Sequence, residues 1–354
     1  MNLGDALNRG LRAVIRPEDE FVVLHSSLFH VAETAASLRR DALEAVRELT
    51  ERGHTLALPA FTFSFIHEGR YHYRDSPSGS GLLADWVSEL PEARRTPHPV
   101  YSHVVLGPRL EELMGCRHDT AFGEETVFEL LESANARIVM VGADWQSLTQ
   151  VHRYEELLRV PYREPMRVEG TADFGAGEQA AVVDLFVRDA ALESVRDFSP
   201  VIEELHREGM IDRAEVGRGT VEATSCDCVR LISERVIRRD PFALVRIPPS
   251  IERRLHRHEP SPTAEDRSDG EGPSLPGGPV ASAVERVVRE ILEVGPSLDL
   301  SNAGLGDPES WTSLAQIEIL VALEDEFDIA FTSAELSATP SLVELKALVA
   351  RKLS

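Results

Sequence analysis

Phe21-Val22-Val23-Leu24-His25-Ser26-Ser27-Leu28 is the stretch on which the fold turns. Residues 21–24 are apolar without interruption and stop at polar residues. A short run with no polar alternation reads as a strand buried on both faces. Residues 55–58 and 137–141, Arg137-Ile138-Val139-Met140-Val141, have the same character. Between the first two runs, residues 34–53 read as a helix with Gly53 as its stop signal. Alternation of this kind predicts an α/β domain with a layered, mostly parallel sheet and flanking helices. Residues 180–187 and 242–247 read as added antiparallel strands.

Further along, residues 253–279 run RRLHRHEPSPTAEDRSDGEGPSLPGGP. Pro, Gly, Ser and charge dominate, and Leu275 is the only large apolar residue after Leu255. Such a segment buries too little surface to order itself, so it reads as a flexible linker. Beyond it, apolar residues recur with a helical period in 280–292, 314–327 and 341–353, which predicts an all-α bundle. The expected organisation is a domain over 1–252, a linker over 253–279 and a small domain over 280–354. A chain of 354 residues accommodates both.

Sixty acidic against 37 basic residues give a net charge of −23. That surface repels phosphate backbones and anionic membranes, which argues against nucleic acid and membrane partners. No apolar run is long enough to span a bilayer. Three cysteines, Cys116, Cys226 and Cys228, cannot all pair and read as reduced thiols of a cytoplasmic protein. His54, His67, His72 and His118 have no metal-ligand spacing, so no metal is expected. No nucleotide-binding or hydrolase motif stands out.

Four ordered stretches over residues 20–170 resemble the aminoglycoside 3-N-acetyltransferase family. They are Leu24-His25-Ser26-Ser27-Leu28; Leu58-Pro59-Ala60-Phe61-Thr62; Ser76-Pro77-Ser78-Gly79-Ser80-Gly81 with Arg95 through Ser102 and Gly107; and Phe122-Gly123-Glu124 with Val141-Gly142 and Leu148 through Glu155. Asp85, Thr96 and His103 depart from the family's pattern. The resemblance implies transfer of an acyl group from coenzyme A to an amine. An amine attacking a thioester must shed a proton, and histidine is the side chain suited to take it. His152, in a T-x-x-H-x-x-E pattern with Thr149 and Glu155, is the implied base. If helical, the spacing brings neighbours of this trio onto one face. A carboxylate there would orient the imidazole or hold the substrate ammonium.

His25, Ser26 and Ser27 follow a buried strand, where α/β enzymes place ligands. They are candidates to hold the pantetheine arm or an oxyanion, and equally read as a strand-ending turn. Ser76, Ser78, His98 and Ser102 are candidate donor contacts, and Asp75 and Glu124 are candidate carboxylates for a substrate amine; Ser76 and Ser78 also read as a turn, His98 as a packed ring and Asp75 as a solvated loop carboxylate.

Residues 310–329, Ser-Trp-Thr-Ser-Leu-Ala-Gln-Ile-Glu-Ile-Leu-Val-Ala-Leu-Glu-Asp-Glu-Phe-Asp-Ile, resemble the modification site of acyl carrier proteins. That resemblance implies a 4'-phosphopantetheine arm on Ser313, installed by a phosphopantetheinyl transferase and charged by an acyl-loading enzyme. Thr312 stands where the family usually has Asp. The combined expectation is a biosynthetic N-acyltransferase whose thioester hangs on Ser313 or on coenzyme A. The alternatives are a coenzyme A-dependent aminoglycoside 3-N-acetyltransferase conferring antibiotic resistance, and a catalytically inactive carrier-docking protein. A homodimer is a further expectation.

Overall fold

A computed structural model describes residues 3–31, 38–73, 76, 81–189, 192, 194–247, 279–292 and 341–353, together with residues 300, 303, 304, 311, 319, 323 and 327. It divides into two compact units, Met1–Ser261 and Pro262–Ser354.

In the first unit the strands are β1 (Phe21–Ser26), β2 (Thr55–Pro59), β3 (Arg70–His72), β4 (Arg94–Arg95), β5 (His103–Leu106), β6 (Arg137–Val141), β7 (Arg163–Asp173), β8 (Glu178–Arg188), β9 (Val195–Arg196), β10 (Asp212–Val216), β11 (Gly219–Ser225) and β12 (Val245–Arg246). The helices are α1 (Leu3–Val14), α2 (Leu38–Glu51), α3 (Ser64–Glu68), α4 (Leu82–Ser88), α5 (Leu110–Met114), α6 (Val127–Ser133), α7 (Val151–Leu157), α8 (Ser199–Arg207) and α9 (Cys226–Arg239).

Seven strands form the main sheet in the order β10-β11-β6-β1-β2-β5-β4. Its centre, β6-β1-β2, is parallel and consists of the three apolar runs read from the sequence. The flanks are antiparallel on both sides, so the sheet is mixed and the expectation of a mostly parallel one is corrected. The reason is partly local. Only Gly217 and Arg218 separate β10 from β11, and a parallel pairing needs a crossover of about a dozen residues.

Alternate residues of the central strands feed two cores. Val22, Leu24, Leu56, Leu58, Val139 and Val141 pack with α1, α2 and α4. Phe21, Val23, Ala57, Ile138 and Met140 pack with α6 through α9. Burial on both faces is what removed polar alternation from these strands. A second sheet, β3-β7-β8, covers an aromatic cluster that includes Phe61, Phe65, Tyr71, Phe122 and Phe128. Its long β7-β8 hairpin contains the antiparallel strand expected at 180–187. The short β12, within 242–247, pairs antiparallel with β9.

In the second unit, helices Pro279–Ile291 and Leu342–Lys352 match the periodic segments. Ser341 and Glu344 form a reciprocal capping box at the start of the last helix. Val284, Val288, Trp311, Ile319, Leu323, Leu345 and Val349 share one buried core. Of the helix expected over 314–327, the described residues Ile319, Leu323 and Phe327 are helical. Ser313 lies outside the described residues, as does most of the expected linker. No helix among the described residues is long and apolar enough to cross a membrane.

Candidate active site

Helix α7 follows the carboxyl end of β6, past a short 3-10 turn that Asp144 caps through Gln146 N at 2.8 Å. Val151 and Tyr154 are fully buried and anchor α7 in the core beneath the sheet. His152 and Glu155, three residues apart, therefore share a face of the helix. Both are buried, Glu155 to 1% exposure.

His152 Nδ1 and Glu155 Oε2 form a short hydrogen bond. Glu155 Oε1 accepts from Tyr162 Oη at 2.6 Å. Arg163 Nε stands 3.0 Å from Glu155 Oε2, and its Nη2 is 2.9 Å from His152 Nδ1. Two lone-pair atoms as close as Nδ1 and Oε2 would repel unless a proton lay between them. We therefore assign that proton to Nδ1, which leaves the Nε2 lone pair free.

Burial, and then the Arg163 guanidinium, push His152 down to about 4, although Glu155 acts to raise it. Burial alone would raise Glu155, but His152, Arg163 and Tyr162 outweigh it and hold the carboxylate at about 2. The imidazole is thus neutral at physiological pH, with a carboxylate placed to stabilise the cation formed on proton uptake. Rings of Phe122 and Phe198 meet it edge-on at centroid distances of 5.7 and 5.4 Å.

Two buried arginines assemble the surrounding loops. Arg95 donates to Ser102 Oγ at 2.8 Å, Ala60 O at 2.6 Å, Ser76 O at 3.0 Å and Tyr73 O at 3.4 Å. Arg153, beside His152, donates to Phe122 O at 2.6 Å and Gly123 O at 2.9 Å, and pairs with Glu129 and Glu132. Separate motif stretches are thereby gathered around α7.

The structure places the expected residues unequally. Thr149 precedes α7, and its hydroxyl donates to Ser147 O at 3.1 Å. It lines a small cavity with His25, Phe61, His103, Phe128 and Gln150. Burial lowers His25 to about 4. Ser26 ends β1, and Ser27 N donates to Val141 O at 2.9 Å, joining the carboxyl ends of β1 and β6. Ser102 is fully buried, its hydroxyl donating to Ala60 O at 2.7 Å. Ser76 Oγ accepts from His72 N at 3.0 Å. His98 Nδ1 accepts from Val100 N and Tyr101 N at 3.0 and 2.9 Å, so it pins the turn before β5. Glu124 is exposed in the turn that Arg153 clamps. Asp75 and Ser78 lie outside the described residues. No group of His, Cys, Asp and Glu among the described residues is arranged to hold a metal. Tyr162, Arg163, Arg95 and Arg153 were not singled out from the sequence. The T-x-x-H-x-x-E pattern ends at Glu155, and nothing in spacing alone marks its partners at the start of β7.

Gly142 explains one motif glycine. Its φ is +63°, and a Cβ there would meet Ser27 O at 2.7 Å. Gly142→Ala should cost about 2 kcal/mol from the left-handed backbone and this contact. A lowered thermal midpoint checks it, and an unchanged one would refute the close approach.

Comparison with known proteins bears on the family and the fold. A family model described as aminoglycoside 3-N-acetyltransferase matches residues 23–236. Aminoglycoside N(3)-acetyltransferase III of Serratia marcescens is 31% identical over 152 residues, which is 38% of this chain and 55% of that protein. The aminoglycoside N(3')-acetyltransferase-like protein YokD of Bacillus subtilis is 29% identical over 107 residues, 28% of this chain and 38% of that protein. The chain spans about half the length, or less, of these curated relatives. Among solved structures, aminoglycoside acetyltransferase AAC(3)-Xa superposes with a TM-score of 0.59 at 17% identity, covering 69% of this chain and 94% of that one. AAC-IIIb, described as binary with CoASH, gives 0.57 at 18% identity, covering 67% and 97%. AAC-VIa bound to sisomicin gives 0.54 at 16%, covering 67% and 97%. At these identities the structures establish a common fold. With the family model spanning residues 23–236, more than half of the sequence, the chain belongs to the aminoglycoside 3-N-acetyltransferase family.

Proposed function

We propose that this chain is an N-acyltransferase that moves an acetyl group from acetyl coenzyme A to an amine of the aminoglycoside type, with His152 as general base. The observation that carries the reading is the buried His152–Glu155 pair with Nε2 left free. The amine nitrogen attacks the thioester carbonyl and a C–N bond forms. His152 Nε2 takes the proton released from nitrogen. The tetrahedral intermediate expels the thiolate as the C–S bond breaks, and the protonated His152 returns its proton to the sulfur. Glu155 holds the imidazole and offsets its transient charge, and Arg163 and Tyr162 hold Glu155 in place. Coenzyme A and an aminoglycoside are the ligands named for two neighbours of the same fold, which supports this choice of donor and acceptor. The test is release of free coenzyme A thiol from acetyl coenzyme A in the presence of amines. No amine-dependent release by the wild type would overturn the reading.

A second reading keeps a tethered donor. It is favoured by the separate compact unit with its own core, whose Ile319 and Leu323 belong to the segment that follows Ser313. In that reading Ser313 bears phosphopantetheine in a biosynthetic pathway. Incubation with coenzyme A and a broad-specificity phosphopantetheinyl transferase should then add one phosphopantetheine to the intact mass, and Ser313→Ala should abolish the gain. An unchanged mass would leave coenzyme A as the donor.

A further inference from the structure

Arg163 and Arg196 lie near His152, and Arg188 lies across the hairpin from Arg163. Arg163 and Arg188 are direct cross-strand partners in β7 and β8, a like-charge pairing that sheets ordinarily avoid. Arg163 is committed to Glu155. Arg188 donates to Ser194 O in the approach to β9. Arg196, in β9, sets its guanidinium 5.3 Å from the centre of the Phe198 ring, and that ring lies 5.4 Å from the His152 ring. Among the described residues neither Arg188 nor Arg196 reaches a carboxylate at ion-pair distance. Arg196 is exposed as a residue, but its guanidinium is partly desolvated against Phe198. That burial, and then repulsion from Arg188, lower its pKa, while Glu155 and Asp144 act in the opposite direction. A concentrated positive spot beside the base stands out in a chain of net charge −23.

We propose that Arg188 and Arg196 form a subsite for an anionic group, a carboxylate or a phosphate monoester, on the same small molecule that carries the reactive amine. The inference rests on His152 as the base of the proposed reaction and adds an anion to its acceptor. Guanidinium groups suit both anions because their planar forks donate two parallel hydrogen bonds. Position selects the acceptor over the donor. Arg196 stands one ring away from His152, whereas a pantetheine arm holds its phosphates many bonds from its thioester.

The test uses the full chain and a matched pair of amines, glucosamine 6-phosphate and glucosamine, with release of free thiol as readout. The phosphate should raise kcat/KM by about tenfold, the effect of one charge-assisted hydrogen bond. Arg196→Ala and Arg188→Ala should each remove most of that advantage through KM, and the advantage should persist with the phosphate-free donor S-acetyl-N-acetylcysteamine. An advantage that disappears with this donor would assign the arginines to coenzyme A and overturn the proposal. So would turnover of a polycationic aminoglycoside that exceeds the phosphate and ignores both substitutions. Should no amine react, the acyltransferase reading fails separately, and calorimetric titration with inorganic phosphate decides the subsite. Heat of binding lost in the Arg188→Ala, Arg196→Ala double variant supports it, and equal heats overturn it.

Discussion

His152→Ala is expected to lower kcat by about a hundred- to ten-thousandfold, the usual contribution of a general base, with a smaller change in KM. The variant should fold, because Glu155 keeps its ion pair with Arg163 and its hydrogen bond from Tyr162. Glu155→Ala is a poorer probe. It would leave Arg163 buried without a carboxylate, at about 3–5 kcal/mol of stability, and mix folding with chemistry. The pH profile adds a readout that a merely structural histidine would not give. Neutral imidazole is the active form, so kcat should stay flat through the ordinary imidazole value of 6.5, the limb that belongs to His152 lying below about pH 5. Arg163→Gln removes a cation that depresses His152 and should move that limb upward. A wild-type rate retained in His152→Ala would remove the base from the mechanism.

Acid should unfold the first unit steeply, at a cost of about 5 kcal/mol for the pH unit between roughly 5.5 and 4.5. Four buried histidines produce this. Burial lowers His25 and His152 to about 4 and His98 and His103 to about 3. In the unfolded chain each titrates near its ordinary value of 6.5. Within that window the unfolded state therefore holds four protons that the folded state refuses. Stability is complete above the unfolded pKa and is lost as pH falls towards the folded one. Glu155, held at about 2, adds to the loss below about 4.5, because there the unfolded carboxylate takes a proton before the folded one does. A domain has only about 5–15 kcal/mol to lose, so the transition should fall near pH 4 to 5. Denaturant melts followed by circular dichroism from pH 7.5 downward would measure it, and flat stability across that range would refute it. His103 offers a variant, since its buried ring packs edge-on against Phe61 and Phe128. His103→Phe should remove about a quarter of the slope.

The central strands were legible because burial on both faces leaves an uninterrupted apolar signature, as in residues 21–24 and 138–141. The flanking strands were not. β10 reads Asp-Arg-Ala-Glu-Val and is only partly buried, so no apolar run announced it. Its tight turn at Gly217-Arg218, more than any hydrophobic pattern, sets its direction. At the site, His152 and Glu155 emerged from residue type and spacing together with the resemblance. Tyr162 and Arg163 did not, because they approach from β7 and only tertiary packing brings them to the pair. Ser102 and His98 illustrate the reverse difficulty. A motif serine and a motif histidine read as candidate donor contacts, and the structure shows the hydroxyl donating to Ala60 O and Nδ1 accepting from two backbone amides. Sequence shows that a polar side chain is present but not how much of its hydrogen-bonding capacity the backbone has already taken.

The base, its carboxylate, the phenol and the guanidinium all come from one contiguous stretch, residues 152–163, while Arg188, Arg196 and Phe198 follow in a later one. Reactivity and selectivity are therefore written in separate passages of the chain. A library randomised over residues 188–196 can search for new acceptors while leaving the proton-transfer apparatus and the Phe198 ring against it intact, and recombination between relatives within 164–187 would exchange one property without breaking the other.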